Sequence, residues 1–200
     1  CRLAKEKGKD RIKVALDDDT YYQKFELIIR EALKEHRLKL YAQNIKAISP
    51  EAQSIDQDRT HYEVLSRIGD ENGKILSPEE FIPAAEKLGL AVAIDMYVIK
   101  HTLALLKKYP GHTKALSLCS INLSGASVSN ERMEGFIEHQ LQRNEIDPRK
   151  ICFEITETHE ILDNDTATNL VDSLRAQGCK IAFDDFGTGH SNYQSFSRLP

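Results

Sequence analysis

The chain has 200 residues, of which 40% are hydrophobic and 29% charged, a composition typical of a soluble globular protein. The net charge is −4 at pH 7 and the sequence has no basic stripe, which argues against a nucleic acid polymer as partner. No apolar run approaches the roughly 18 residues of a membrane-spanning helix, so no membrane segment is predicted.

The four cysteines argue against a zinc site. Cys1, Cys119, Cys152 and Cys179 are far apart in the sequence and form no CxxC pair. Three of them lie in or beside apolar, strand-like runs, where reduced and buried thiols are expected. We therefore predict a cytoplasmic location.

The first part of the chain is predicted to lie outside the main domain. Residues 1–16 are basic and predict a short helix and a strand, and the chain starts at a cysteine, so we expect a fragment of a longer protein. Residues 17–36 contain apolar residues at helical spacing and predict a linker helix. The main domain is expected over residues 37–200.

From residue 38 onward, predicted strands and helices largely alternate. Strands are predicted at Leu38–Ile48, His61–Ile68, Leu116–Leu123, Lys150–Ile155 and Lys180–Phe183. Helices are predicted at Pro78–Leu88, Asp95–Tyr109, Asn130–Asn144 and Asp165–Gln177, with a last one starting near Ser191. This alternation predicts an α/β fold with parallel strands, either an open doubly wound sheet or a closed eight-stranded barrel.

Polar side chains interrupt four successive strands near their carboxyl ends. These residues are Glu63, Asn122, Glu154 and the pair Asp184-Asp185. A carboxylate in a buried strand is costly unless something compensates it, and the carboxyl ends of parallel strands converge on one site. An oxygen-only set suits Mg²⁺ or Mn²⁺ better than zinc.

The strand period adds an arginine to this predicted site. Glu63 and Arg67 fall on the same side of their strand, and a guanidinium suits a phosphate. Metal ligands with an arginine are typical of metal-assisted phosphoester hydrolysis. Glu157, three residues after Glu154, would face the other way and is better suited to holding a loop. Each residue alone has a commoner structural explanation, so the hypothesis depends on the set.

Five motifs carry a resemblance to a known family. They are Glu63-Val64-Leu65 within an ExLxR pattern, FIPAAEKLGL, INLS, FEITET and DDFGTGHSN. Over about residues 38–200 the chain resembles the EAL family of phosphodiesterases, which open cyclic-di-GMP to linear pGpG. The resemblance implies a TIM-like (β/α)8 barrel, incomplete, with about five of the eight βα units present.

The resemblance also implies roles for individual residues. Two Mg²⁺ or Mn²⁺ ions would activate the attacking water, one bound by Glu63, Asn122, Glu154 and Asp184, the other by Asp185. Gln43 would contact the ligand and Arg67 a phosphate. Glu157 would steady a loop that links metal occupancy to dimerisation, which implies a homodimer.

The sequence departs from the family pattern in places. Asn44 replaces the usual proline, and His190 and Asn192 replace an aromatic residue and a serine. Three further family residues would lie beyond Pro200: the catalytic lysine, a later metal-binding glutamate and a substrate-contacting glutamine. We therefore expect the 200 residues of this chain alone to be inactive.

Residues 1–14 resemble the end of a GGDEF (diguanylate cyclase) domain.

Besides an active phosphodiesterase, two functions stay open: a catalytically inactive receptor that binds cyclic-di-GMP, and a different metal-dependent barrel enzyme. Loss of a metal-binding residue would indicate the receptor. A different barrel enzyme would require the ExLxR and DDFGTG matches to be coincidental.

Overall fold

The computed structural model describes residues 18–46, 48, 60–69, 75–156 and 165–184. The helices are α1 (Asp18–Lys34), α2 (Pro78–Lys87), α3 (Ala91–Lys108), α4 (Pro110–Ala115), α5 (Gly125–Val128), α6 (Met133–Asn144) and α7 (Asp165–Gln177). The strands are β1 (Leu38–Asn44), β2 (Thr60–Gly69), β3 (Ile75–Leu76), β4 (Leu116–Leu123), β5 (Ile151–Thr156) and β6 (Lys180–Asp184). A single 3₁₀ turn, Pro148–Lys150, precedes β5 in this part of the chain.

The strands form one mixed sheet in the order β1-β2-β4-β5-β6, with the short β3 paired to β2. The pairs β2–β4, β4–β5 and β5–β6 are parallel, which confirms the predicted α/β fold with a mainly parallel sheet. The predicted strand at Lys180 and the predicted helix Asp165–Gln177 are both present.

The expectation of parallel strands was wrong for β1. Strand β1 pairs with β2 in antiparallel register, from Leu38 opposite Ile68 to Asn44 opposite Tyr62. The end of β1 thus faces the start of β2, as in the two arms of a hairpin. Parallel pairing would need a crossover that returns the chain to the other end of the sheet. Strand β1 also ends at Asn44, earlier than the predicted Ile48.

The parallel strands are apolar because helices cover one of their faces. Along β4 and β5, Ile121, Ile151, Phe153 and Ile155 are fully buried. They pack in one core with apolar side chains of α3, α6 and α7, among them Ile99. Parallel strands that are packed on both faces read as nearly continuous apolar runs, so polar exceptions in them are easy to recognise.

Two predicted helix ends are confirmed by glycines in the left-handed conformation. Gly89 has φ +67° and follows α2, while Gly178 has φ +103° and follows α7. Two predicted helices start elsewhere than expected: α3 begins at Ala91 instead of Asp95, and α6 begins at Met133 instead of Asn130. Pro110, which follows the predicted helix end at Tyr109, is the first residue of the unpredicted α4, where its missing N–H costs nothing.

Helix α1 packs on α2 through aromatic and basic side chains. The Tyr21 hydroxyl donates a hydrogen bond to the Glu80 carbonyl at 3.2 Å, and Lys87 Nζ lies 3.9 Å from the centre of the Tyr22 ring. Ile29 of α1 is fully buried in the main core. The assignment of residues 17–36 as an interdomain linker stays a prediction, as do the boundaries 1–16 and 37–200.

Three cysteines occupy the positions expected of structural thiols. Cys119, Cys152 and Cys179 are buried and unpaired, as predicted. Cys1, the predicted strand within residues 1–16 and the predicted helix near Ser191 lie outside the described residues.

Candidate functional site

One face of the sheet carries the polar residues that interrupt the strands. Strand register places Gln43 opposite Glu63, and Glu63 beside Ser120 on β4. Asn122 then lies beside Glu154 on β5. Because paired residues point to the same side of a sheet, these side chains share one face, opposite to the face covered by helices.

A short hydrogen bond joins two of the predicted ligands. Asn122 Nδ2 donates to Glu63 Oε1 at 2.6 Å, across the neighbouring parallel strands β2 and β4. Both side chains are partly buried. The contact uses the amide nitrogen of Asn122, which leaves the amide oxygen as the atom with the chemistry of a metal ligand. A carboxylate oxygen and an amide oxygen are both ligand types that hard divalent cations prefer.

Glu154 extends this pair to the next strand. It is half-buried between Phe153 and Ile155, which are fully buried. Its register partner on β6 is Ala182, and Asp184 follows two positions later, opposite Thr156. The structure describes the backbone of Asp184, which places this residue at the carboxyl end of β6.

The two predicted substrate-contacting residues lie on the same face. Gln43 is exposed on β1, directly opposite Glu63. Arg67 lies further along β2, where its Nη1 donates to the Ser66 carbonyl at 2.8 Å. The face therefore has acidic groups towards its middle and a guanidinium towards the carboxyl end of β2.

Asp185 and Glu157 lie outside the described residues, so their predicted roles stay predictions. Among the described side chains, no three His, Cys, Asp or Glu residues form a metal-binding group. The part of the predicted ligand set with described side chains comprises Glu63, Asn122 and Glu154. This donor set fits Mg²⁺ or Mn²⁺, whereas zinc prefers nitrogen and sulfur ligands.

Asp95 supplies a buried carboxylate behind this site that was not predicted from the sequence. Asp95 Oδ2 accepts hydrogen bonds from Ser124 N at 2.9 Å, from Ser124 Oγ at 2.6 Å and from Ser127 Oγ at 2.6 Å. Burial raises the pKa of the Asp95 carboxyl group above its usual range, although the serine hydrogen bonds oppose the shift. The signal in the sequence was one acidic residue at the end of the apolar run from Leu88 to Ile94.

The model of the EAL domain family matches residues 26–200. The chain belongs to this family. Its ExLxR motif lies on β2, INLS begins on β4, and the first four residues of FEITET lie on β5, at the face where Glu63, Asn122 and Glu154 lie.

Two curated relatives of this EAL domain are named as cyclic-di-GMP phosphodiesterases. The chain is 35% identical over 210 residues to "Cyclic di-GMP phosphodiesterase PdeB" of Shewanella oneidensis, covering 100% of the chain and 23% of that protein. It is 33% identical over 169 residues to "Cyclic di-GMP phosphodiesterase PdeF" of Escherichia coli, covering 82% of the chain and 21% of the relative. The chain thus spans less than a quarter of the length of either relative.

Solved EAL structures have the same fold. A structure described as "PaMucR Phosphodiesterase, c-di-GMP complex" matches with a TM-score of 0.74 and 26% identity, covering 88% of this chain and 69% of that one. The EAL enzyme Bd1971, in a form with cAMP and cyclic-di-GMP bound, matches with a TM-score of 0.76 and 23% identity. That match covers 100% of this chain and 52% of that one. The sheet is therefore part of a TIM-like barrel, as predicted.

Within the described ranges, no helix combines the length and the apolar character needed to cross a membrane.

Proposed function

We propose that the protein containing this EAL domain hydrolyses cyclic-di-GMP to linear pGpG with the aid of Mg²⁺ or Mn²⁺. The observation that carries the proposal is the 2.6 Å hydrogen bond between Asn122 and Glu63, with Glu154 in register beside Asn122. Family membership and the names of the relatives support the substrate. EAL phosphodiesterases in general depend on divalent metal ions.

The chain's own residues would divide the work between metal binding and substrate binding. Glu63, Asn122, Glu154 and Asp184 would hold one ion, and Asp185 would hold a second. When bound, the ions would supply a water of lowered pKa and neutralise charge on the phosphate. The Asn122 amide restrains the Glu63 carboxylate, so less side-chain freedom has to be lost when an ion binds.

Gln43 and Arg67 would position the dinucleotide on this face. The Arg67 guanidinium is bound to a backbone carbonyl, so its remaining N–H groups can contact a phosphate. Gln43, exposed opposite Glu63, offers an amide that can both donate and accept. Glu157 would stabilise the loop from Phe186 to Ser191, and the protein would act as a homodimer.

The test is a substitution that removes charge at Glu63 and preserves its shape. In the full-length protein, Glu63→Gln is expected to reduce pGpG formation about 100-fold or more, because one anionic ligand is lost. The product is measured by chromatography in Mg²⁺ and in Mn²⁺. Glu134→Gln is the matched control, since Glu134 is exposed on α6 at the other side of the core.

Undiminished turnover by Glu63→Gln would contradict the proposed metal site. A wild-type protein that binds cyclic-di-GMP in both metals without forming pGpG would instead be a receptor, the alternative function.

A further inference from the structure

The carboxylate of Asp95 connects helix α3 to the turn that follows β4. All three of its hydrogen bonds reach one oxygen, Oδ2, and all three donors belong to Ser124 or Ser127. Ser124 precedes the short helix α5, and Ser127 lies within it. A single side chain of α3 therefore holds both ends of the first turn after β4.

Burial of the Asp95 carboxylate makes an unfavourable contribution to the free energy of folding. Asp95 is 8% exposed, and its neighbours Ile94 and Val98 are buried in the main core. A buried carboxylate loses hydration that hydrogen bonds replace only in part, so a neutral residue would cost less here. Because burial of this carboxyl group does not by itself favour stability, its effect lies in the two serines that it holds.

The turn that Asp95 holds, from Ser124 to Ser127, follows closely after a predicted metal ligand. Ser124 is separated from Asn122 only by Leu123, which is 1% exposed on the helix side of the sheet. Asn122 points to the opposite face, where it donates to Glu63. The chain of contacts thus runs from Asp95 to the end of β4, then through Asn122 to the Glu63 carboxylate.

We propose that Asp95 is a positioning residue for the site of Glu63 and Asn122. Its carboxylate fixes the carboxyl end of β4 from behind, and this fixes the height and direction of the Asn122 amide relative to Glu63. The inference rests on the proposed function, since Asp95 would act on metal binding only through the pair Glu63 and Asn122. Residues that orient metal ligands without touching the metal affect affinity strongly.

The experiment measures Mn²⁺ binding by the full-length protein, using the electron paramagnetic resonance signal of free Mn²⁺. Asp95→Ala is expected to weaken binding about tenfold or more. Asp95→Asn is expected to restore part of the loss, because the amide oxygen can still accept hydrogen bonds. The control is Thr102→Val, which alters another buried polar residue of α3, 4% exposed, and should leave Mn²⁺ affinity unchanged.

Urea unfolding of each variant separates positioning from stability. If Asp95 has a purely structural role, Asp95→Ala will have a lower unfolding midpoint, but its folded fraction will bind Mn²⁺ with wild-type affinity. That result would overturn the inference. If both Asp95 variants fail to fold, Ser127→Ala decides. This variant should bind Mn²⁺ about threefold more weakly, as expected for the loss of one hydrogen bond, and wild-type affinity would overturn the inference.

The wild-type protein distinguishes this inference from the proposed function. Absence of Mn²⁺ binding by the wild type would overturn both. Wild-type binding with unchanged Asp95 variants would overturn the positioning role alone.

Discussion

At the scale of single residues, Gly178 shows how one backbone conformation ends a helix. Its N–H donates to the Arg175 carbonyl at 2.9 Å, and the next N–H, of Cys179, donates to Leu174 at 3.0 Å. This pair of bonds is a Schellman motif, which requires a left-handed residue. The φ of +103° is open to glycine, and a Cβ there would lie 3.2 Å from Arg149 Cγ.

We therefore expect Gly178→Ala to lower the free energy of unfolding by about 1–2 kcal/mol, from backbone strain and crowding. The control is Gly135→Ala within α6, where a Cβ meets no atom within 4 Å. That change should raise the free energy of unfolding by about 0.5–1 kcal/mol, because alanine favours the helix. Urea denaturation measures both, and a stabilising effect at Gly178 would contradict the strain argument.

Single residues also show how far the site could be predicted. Glu63, Asn122 and Glu154 were recognisable because each is polar near the carboxyl end of an apolar strand, where parallel strands converge. Only the strand register in the structure places them on one face. The role of Asp95 was not recognisable, since it depends on contacts with Ser124 and Ser127, far away in the sequence. No local pattern carries that pairing.

At the scale of secondary-structure elements, Lys150 joins two segments at the amino-terminal end of the parallel strands. Its Nζ donates to the carbonyls of Thr113, Lys114 and Leu116 at 2.6, 3.2 and 2.8 Å. These carbonyls belong to the end of α4 and the start of β4. The ammonium group therefore caps α4 and ties the start of β5 to that of β4.

Lys150→Met keeps the length of the side chain and removes these donors. We expect it to lower the free energy of unfolding by about 1–3 kcal/mol, because part-buried carbonyls lose charge-assisted hydrogen bonds. The matched control is Lys100→Met at an exposed position of α3, which should change the free energy of unfolding by less than about 0.5 kcal/mol. Equal effects of the two variants would mean that the capping bonds contribute nothing.

Elements differ in how well the sequence predicts them. Strand β4 and helix α7 have the predicted bounds because apolar period and flanking glycine or polar residues agree. The direction of β1 was missed, since an apolar run predicts a strand and says nothing about its partner. Helix α5 was missed because four residues are too few to show a helical period.

At the scale of the whole molecule, three buried thiols report on the integrity of the core. Burial raises the pKa of Cys119 to about 12, of Cys179 to about 12 and of Cys152 to about 11. The nearby Glu154 carboxylate contributes to the shift at Cys152. Because the thiolate is the reactive form, these cysteines should be inert in the folded protein.

In a Cys1→Ser background, a chromogenic disulfide reagent at pH 8 is expected to label these three thiols only as fast as the protein unfolds. Saturating urea should expose all of them at once. In the folded state, labelling should increase towards pH 11 and not near the ordinary thiol pKa of about 8.5, since the raised pKa delays ionisation. Rapid labelling at pH 8 without denaturant would contradict the buried positions.

The strand register behind the site also sets which changes in chain length the protein tolerates. Glu63, Asn122 and Glu154 share a face because each keeps its place in a two-residue alternation across three paired strands. An inserted or deleted residue within β2 or β4 would turn the following side chains to the helix side and exchange an acid or amide for a hydrophobic residue. The site therefore constrains the number of residues within these strands as well as their chemistry, whereas the connections between the strands can lengthen or shorten without moving its side chains to the other face.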